Sequence, residues 1–246
     1  MIDRGLEHRR ALLAGLGGAA LLLAGCAAHG ERAGAGEAKE EEGESGGKEV
    51  TANEDLMREH GVLRRALLVY TAAAVRLRRE PARVPPAALN RTARLFRSFG
   101  EDYHERRLEE PFIFPVVRGV KGPAAALPDI LTAQHQRGRE ITDYILAVTA
   151  GGSLTGSATP LARALDGMIL MYRHHTARED TLVFPAWKDA LTAQQYDELG
   201  DRFEDIEKQQ FGHDGFADAV REIGAIEAEL GIADIAQFTA PPPPRV

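Results

Sequence analysis

Cysteine is almost missing from this chain: Cys26 is the only one among 246 residues. An internal disulfide is thereby excluded, and so is an iron-sulfur cluster held by thiolates. No Lys/Arg stripe interleaved with aromatics occurs, and the formal net charge is -7, which argues against a nucleic-acid partner. Beyond the first 25 residues no apolar run approaches the roughly 18 residues needed to cross a bilayer. Alternating, strand-like runs are absent as well, so the pattern predicts an all-α fold. Neither a Gly-rich dinucleotide fingerprint nor a Ser-His-Asp or Cys-His nucleophile is visible, so any sustained reduction needs an outside electron donor. The 44% hydrophobic fraction suffices for one large buried core.

The N-terminus is patterned for export. Arg4, Arg9 and Arg10 precede an apolar run over 11–23, which ends in Leu23-Ala24-Gly25-Cys26. Basic, then apolar, then small residues is the order of a secretory signal. The last four residues resemble the lipobox of bacterial lipoproteins, which implies lipidation of Cys26 and anchoring in the cell envelope, periplasmic or at the outer surface. Arg9-Arg10-Ala11-Leu12-Leu13 resembles in part a twin-arginine export motif. Residues 1–25 are therefore expected to be a signal peptide. Residues 26–50, rich in Gly and Glu and poor in apolar side chains, are expected to be a flexible tether.

Helical structure is expected from Thr51, where Thr at the cap and Glu54 three residues on make a capping box. Helix one is predicted to reach about Arg79, with Leu56, Met57, Leu63, Leu67 and Leu68 on its inner face. Pro81, Pro85 and Pro86 separate it from helix two, which carries Leu95, Phe96 and Phe99 toward Phe114-Pro115. Helix three follows Gly122-Pro123 and Pro128 and passes Ile141, Ile145 and Val148 to the turn at Gly151-Gly152-Ser153. Helix four starts near Pro160 and runs through Met168 and Met171 to Phe184-Pro185. These four elements define a bundle over 51–191. An outer extension over 192–235 carries one stripe of Leu199, Phe203 and Ile206 and, after a break at Gly212-His213-Asp214-Gly215, another of Phe216, Val220, Ile223 and Leu230. The Pro-rich end, 236–246, is expected to be a disordered tail.

One histidine falls on each of the four helices: His60, His104, His135 and His175. His60 shares the stripe of Leu56 and Leu63, and His135 that of Leu131, Gly138, Thr142 and Ile145. Glu179 lies one turn after His175, with Met168, Met171 and Leu182 on the same stripe. The adjacent His174 shares its stripe with Arg178 and Thr181 and should face outward. His104 is less regular, because Glu109 follows at five residues, about 140° round an ideal helix. The offset from Glu109 to Phe114-Pro115 equals that from Glu179 to Phe184-Pro185, so the two segments look like one device with a residue inserted. Pro111 removes a helical hydrogen bond there, and a one-residue bulge would rotate Glu109 into line. Glu110 is an alternative, and Glu105 a weaker one. Imidazoles and carboxylates converging inside a helical bundle are the chemistry of a metal site, most naturally one for two iron ions.

Arg58-Glu59-His60-Gly61, Tyr103-His104 through Phe114-Pro115, Gln134-His135 and Tyr172 through Pro185 carry a family resemblance. The chain from about Asp55 to Leu191 resembles a hemerythrin-like, or HHE cation-binding, domain. The resemblance implies an antiparallel four-helix bundle with two non-haem iron ions. His60, His104, Glu109, His135, His175 and Glu179 would be the ligands, with the carboxylates and an oxygen species as bridges. In the oxygen-carrying hemerythrins helix three supplies two histidines one turn apart, whereas here the positions flanking His135 are Leu131 and Arg139. Four histidines and two glutamates instead resemble bacterial proteins linked to iron-centre repair and to nitric oxide or peroxide responses. The missing histidine leaves a coordination position for a small oxidant such as oxygen, nitric oxide or peroxide. A non-catalytic iron sensor, carrier or repair protein is the alternative.

Overall fold

The computed structural model describes residues 50–245. The leader, Cys26 and the tether up to residue 49 lie outside the described residues. Among the described residues there is no strand. Helix α1 spans Ala52–Arg79. Its capping box is formed as expected: Glu54 donates its backbone N–H to the Thr51 hydroxyl at 3.3 Å, and Thr51 N–H donates to the Glu54 carboxylate at 2.9 Å. Met57 and Leu68 do not join the inner face and are 43% and 60% exposed. At about 100° per residue both lie beyond His60 at one edge of a buried face that extends the other way through Glu59 and Ala66 to Val62 and Val69, so the inner face is rotated from the one predicted.

The second rod starts at Pro86, where a missing N–H costs nothing because the first helical amides lack partners anyway. It consists of α2 (Pro86–Leu95), a π-helical segment (Phe96–Ile113) and α3 (Phe114–Arg118). The local irregularity expected near Pro111 is thus part of a much longer run of wide turns. A 3₁₀ turn at Pro123–Ala126 leads into α4 (Leu127–Thr149), the third rod. The fourth is α5 (Ala158–Arg178), a π turn (Glu179–Val183) and α6 (Phe184–Asp189). The four rods form an all-α bundle whose core includes Leu63, Phe96, Leu131, Ile145, Leu165 and Met168.

Both π segments end in the same way. The N–H of Phe114 donates to the carbonyl of Glu109, and that of Phe184 to the carbonyl of Glu179. The following residues, Pro115 and Pro185, have no N–H to donate, and their rings would crowd the carbonyl four residues back in a tight α turn. Widening the turn to five residues relieves that crowding. It also rotates what lies inside it, so Leu182, expected on the Glu179 stripe, is 40% exposed.

Helices α7 (Ala193–Phe211) and α8 (Gly215–Glu229) form the extension. The break between them is Gly212, whose φ of 73° is left-handed and suits a residue without Cβ. The two helices lie on the face made by α1, α2 and the first π segment. Trp187 stacks on Phe203 at 5.7 Å, and Phe211 meets Tyr103 edge-on at 5.2 Å. Arg65 on α1 clamps Glu227 through two nitrogens at 3.0 and 2.5 Å, and Arg91 on α2 holds Glu222 and Glu229. A 3₁₀ turn at Ile235–Phe238 follows, and residues 239–245 are exposed with no regular structure.

Candidate metal centre

All six sequence-selected side chains, His60, His104, Glu109, His135, His175 and Glu179, are buried and meet inside the bundle. The π turns bring this about. The hydrogen bond of a π-helix spans five residues, so His104 and Glu109 come round to nearly the same face and lie 3.3 Å apart. The equivalent pair on the fourth rod, His175 and Glu179, is four residues apart on an α turn, at 2.9 Å. His174 points outward as expected and contacts Arg178 at 3.0 Å.

The histidines form two pairs. Nε2 of His60 faces Nε2 of His104 at 3.0 Å, and Nε2 of His135 faces Nε2 of His175 at 3.2 Å. Each glutamate serves both pairs. Glu109 turns Oε1 to His104 and Oε2 to His135, both at 3.3 Å. Glu179 turns Oε2 to His60 at 3.5 Å and Oε1 to His175 at 2.9 Å. None of these four oxygens has a hydrogen-bond partner, although all are buried.

A ring of polar residues sets the histidine tautomers. Nδ1 of His60 meets Asp180 at 2.7 Å, that of His104 meets Glu59 at 2.5 Å, that of His135 meets Glu110 at 2.9 Å, and that of His175 meets Gln134 at 2.9 Å. A carboxylate only accepts, so the proton sits on Nδ1 and the lone pair on Nε2. Two lone pairs facing one another at 3.0 Å, with unpartnered carboxylate oxygens beside them, repel unless a positive charge lies between. A borderline cation beside each pair would give these eight atoms a partner.

Without a metal, the surrounding charges favour a proton on one histidine of each pair. Burial works against the charge on His104, but Glu109 and then Glu59 hold it well above the ordinary imidazole range. Burial pushes its partner His60 down, and the His104 charge adds to this. His135 is lifted to about 10 by Glu105, Glu109 and Glu110 against burial, while burial and the His135 charge drive His175 down to about 3. Burial and the neighbouring Glu109 carboxylate push Glu179 well above the usual range; Glu109 lies well below it because His104 and His135 outweigh its burial.

The two alternatives to Glu109 lie behind His135, on its Nδ1 side. Glu110 is the anchor of His135, and Glu105 accepts from the Tyr172 hydroxyl at 2.7 Å and from Arg139 at 3.2 Å. The anchoring roles of Glu59, Glu110, Gln134 and Asp180 do not follow from periodicity, though each sits next to a predicted ligand in the chain. Tyr172 reaches Glu105 because Gly138 leaves room: a Cβ there would lie 2.1 Å from the tyrosine oxygen. Gly138→Ala is expected to destabilise the fold by about 1–3 kcal/mol through overpacking. A lowered urea midpoint at unchanged slope would show it.

The pocket is closed by aromatic rings. Phe184 stacks on His60 with centroids 5.3 Å apart and Phe114 on His135 at 5.4 Å, so the repeated Phe-Pro supplies one lid to each histidine pair. A family model described as the hemerythrin HHE cation-binding domain matches residues 51–187. Uncharacterized proteins of Mycobacterium bovis and of two strains of Mycobacterium tuberculosis are 43% identical over 192 residues, which is 77% of this chain and 74% of each relative. No solved structure matches the chain.

Proposed function

Because the chain belongs to the hemerythrin HHE cation-binding family, we propose that it holds two non-haem iron ions and binds or reduces a small oxidant such as oxygen, nitric oxide or peroxide. The observation that carries this reading is the convergence of four Nε2 lone pairs and four unpartnered carboxylate oxygens on one buried volume. One ion would sit with His60 and His104, the other with His135 and His175, and Glu109 and Glu179 would bridge them.

Bound iron supplies the electron chemistry, cycling between ferrous and ferric states. The chain supplies position and dryness. Asp180, Glu59, Glu110 and Gln134 fix the imidazoles, and Phe114 and Phe184 keep bulk water from the histidines. At the position one turn after His135 stands Arg139, which offers no lone pair. The protein donors therefore number four per ion, and a small oxidant has coordination space. An external donor returns electrons during turnover, since the sequence has neither cluster-binding cysteines nor a Gly-rich dinucleotide fingerprint. Lipidation of Cys26 would place this chemistry at the envelope membrane.

Elemental analysis of protein from iron-supplied cells is expected to give two irons per chain, with a visible absorption that changes when oxygen is admitted. Peroxide or nitric oxide should be consumed repeatedly when a reductant is present. Binding without repeated consumption would favour a sensor or carrier, and a chain that takes up neither iron nor any other metal would end the metal reading.

A further inference from the structure

The ring that orients the four imidazoles is not uniform. His60 and His104 are held by Asp180 and Glu59. Both oxygens of Glu59 accept, from Tyr103 at 3.0 Å and from His104, and Asp180 takes His60 and Arg64 on separate oxygens, so both act as full carboxylates. His135 is held by Glu110, but His175 only by the neutral amide of Gln134. A carboxylate on Nδ1–H raises the basicity of the distal nitrogen and strengthens its bond to a metal, which an uncharged amide does far less.

A second asymmetry has the same sign. Arg139 is 8% exposed and donates to Glu110 at 2.6 Å and to Glu105 at 3.2 Å, so a buried positive charge stands behind His135 and offsets its anchor. The cation on Asp180, Arg64, has a side chain 43% exposed, where water screens it. One half of the pocket therefore has two anionic anchors. The other has one anchoring carboxylate, Glu110, which together with Glu105, 3.9 Å from the same His135 Nδ1, shares the charge of Arg139.

We infer that the two metal positions are unequal: the His60–His104 position retains its ion, the His135–His175 position gives up its ion first, and Gln134 sets the difference. This rests on the metal pair proposed above. It assigns the exchangeable cation to one half of the bundle, the half next to Arg139 and Tyr172.

The test uses the ferrous, iron-loaded full chain mixed anaerobically with excess ferrous chelator, and reads iron release with time. Wild type is expected to lose its irons in two phases of equal size that differ at least about tenfold in rate. Gln134→Glu should slow the fast phase about tenfold and draw the phases together, whereas Asp180→Asn should speed the slow phase and leave the fast one in place. Release of both irons in one phase, or a fast phase unmoved by Gln134→Glu, would overturn the inference. Should Gln134→Glu fail to fold, a slow phase unmoved by Asp180→Asn does the same. Iron counted before the chelator is added separates the two proposals. Two irons leaving together end only the inequality, one iron that Gln134→Glu raises to two upholds it and ends the resident pair, and no iron ends both.

Discussion

Replacing Glu179 by alanine is expected to strip both metal ions from the bundle, because its two oxygens face different histidine pairs at 3.5 and 2.9 Å. Iron per chain should fall from two toward zero, although a single side chain is lost and Glu109 remains. His175→Ala should remove only the ion it shares with His135. His174→Ala, one residue away on the exposed side, should keep both. Iron analysis with the visible spectrum on the three variants decides the matter. Two irons retained in Glu179→Ala would show that the carboxylate does not bridge, and a requirement for His174 would mean that helix α5 presents a different face to the metal.

Removing the metal from the wild-type protein should lower its melting temperature by roughly 6–20 °C. Buried groups left without a counter-charge cost about 3–5 kcal/mol, and in a domain of this size 1 kcal/mol corresponds to about 2–4 °C. Metal loading should also release protons. His104, His135 and Glu179 are raised and hold their protons more tightly without metal, while His60, His175 and Glu109 are lowered. Binding must expel the protons of the first three, so affinity rises with pH across the neutral range and falls on acidification. For the metal-free fold the same three groups have the opposite sign: they bind protons more tightly folded than unfolded. Their contribution is complete below their unfolded values and is lost as pH rises through the folded ones. Calorimetric titration in buffers of different ionisation enthalpy would measure the released protons, and an enthalpy independent of buffer would refute this.

Much of the fold and the six convergent side chains were legible in the sequence because they rest on periodicity and punctuation. The Thr51 cap, the prolines at 85 and 86, the outward His174 and the Gly212 break all follow from local rules that tertiary packing did not override. The relation of His104 to Glu109 was half legible. Its awkward spacing pointed to an irregularity, and Pro111 suggested where, but the length of the π segment depends on hydrogen bonds that no periodicity encodes. Met57 and Leu68 were misplaced because an apolar residue near the edge of a stripe is buried or not according to what packs against it, and Leu182 because the π turn rotates it off the stripe. The anchors were invisible because a Gln or Asp beside a ligand looks like any surface polar residue until the neighbouring helix is in place.

Those anchors tie the rods into a closed circuit. Glu59 on the first holds His104 on the second, Glu110 on the second holds His135 on the third, Gln134 on the third holds His175 on the fourth, and Asp180 on the fourth holds His60 on the first. In each case the anchor is the immediate chain neighbour of an inward-facing His or Glu. A rod turned by a single residue would therefore present an anchor where a ligand belongs and break two links of the circuit at once. A metal held by these ligands would therefore favour correct helix register, because a bundle assembled one residue out of phase would have no such site to fill.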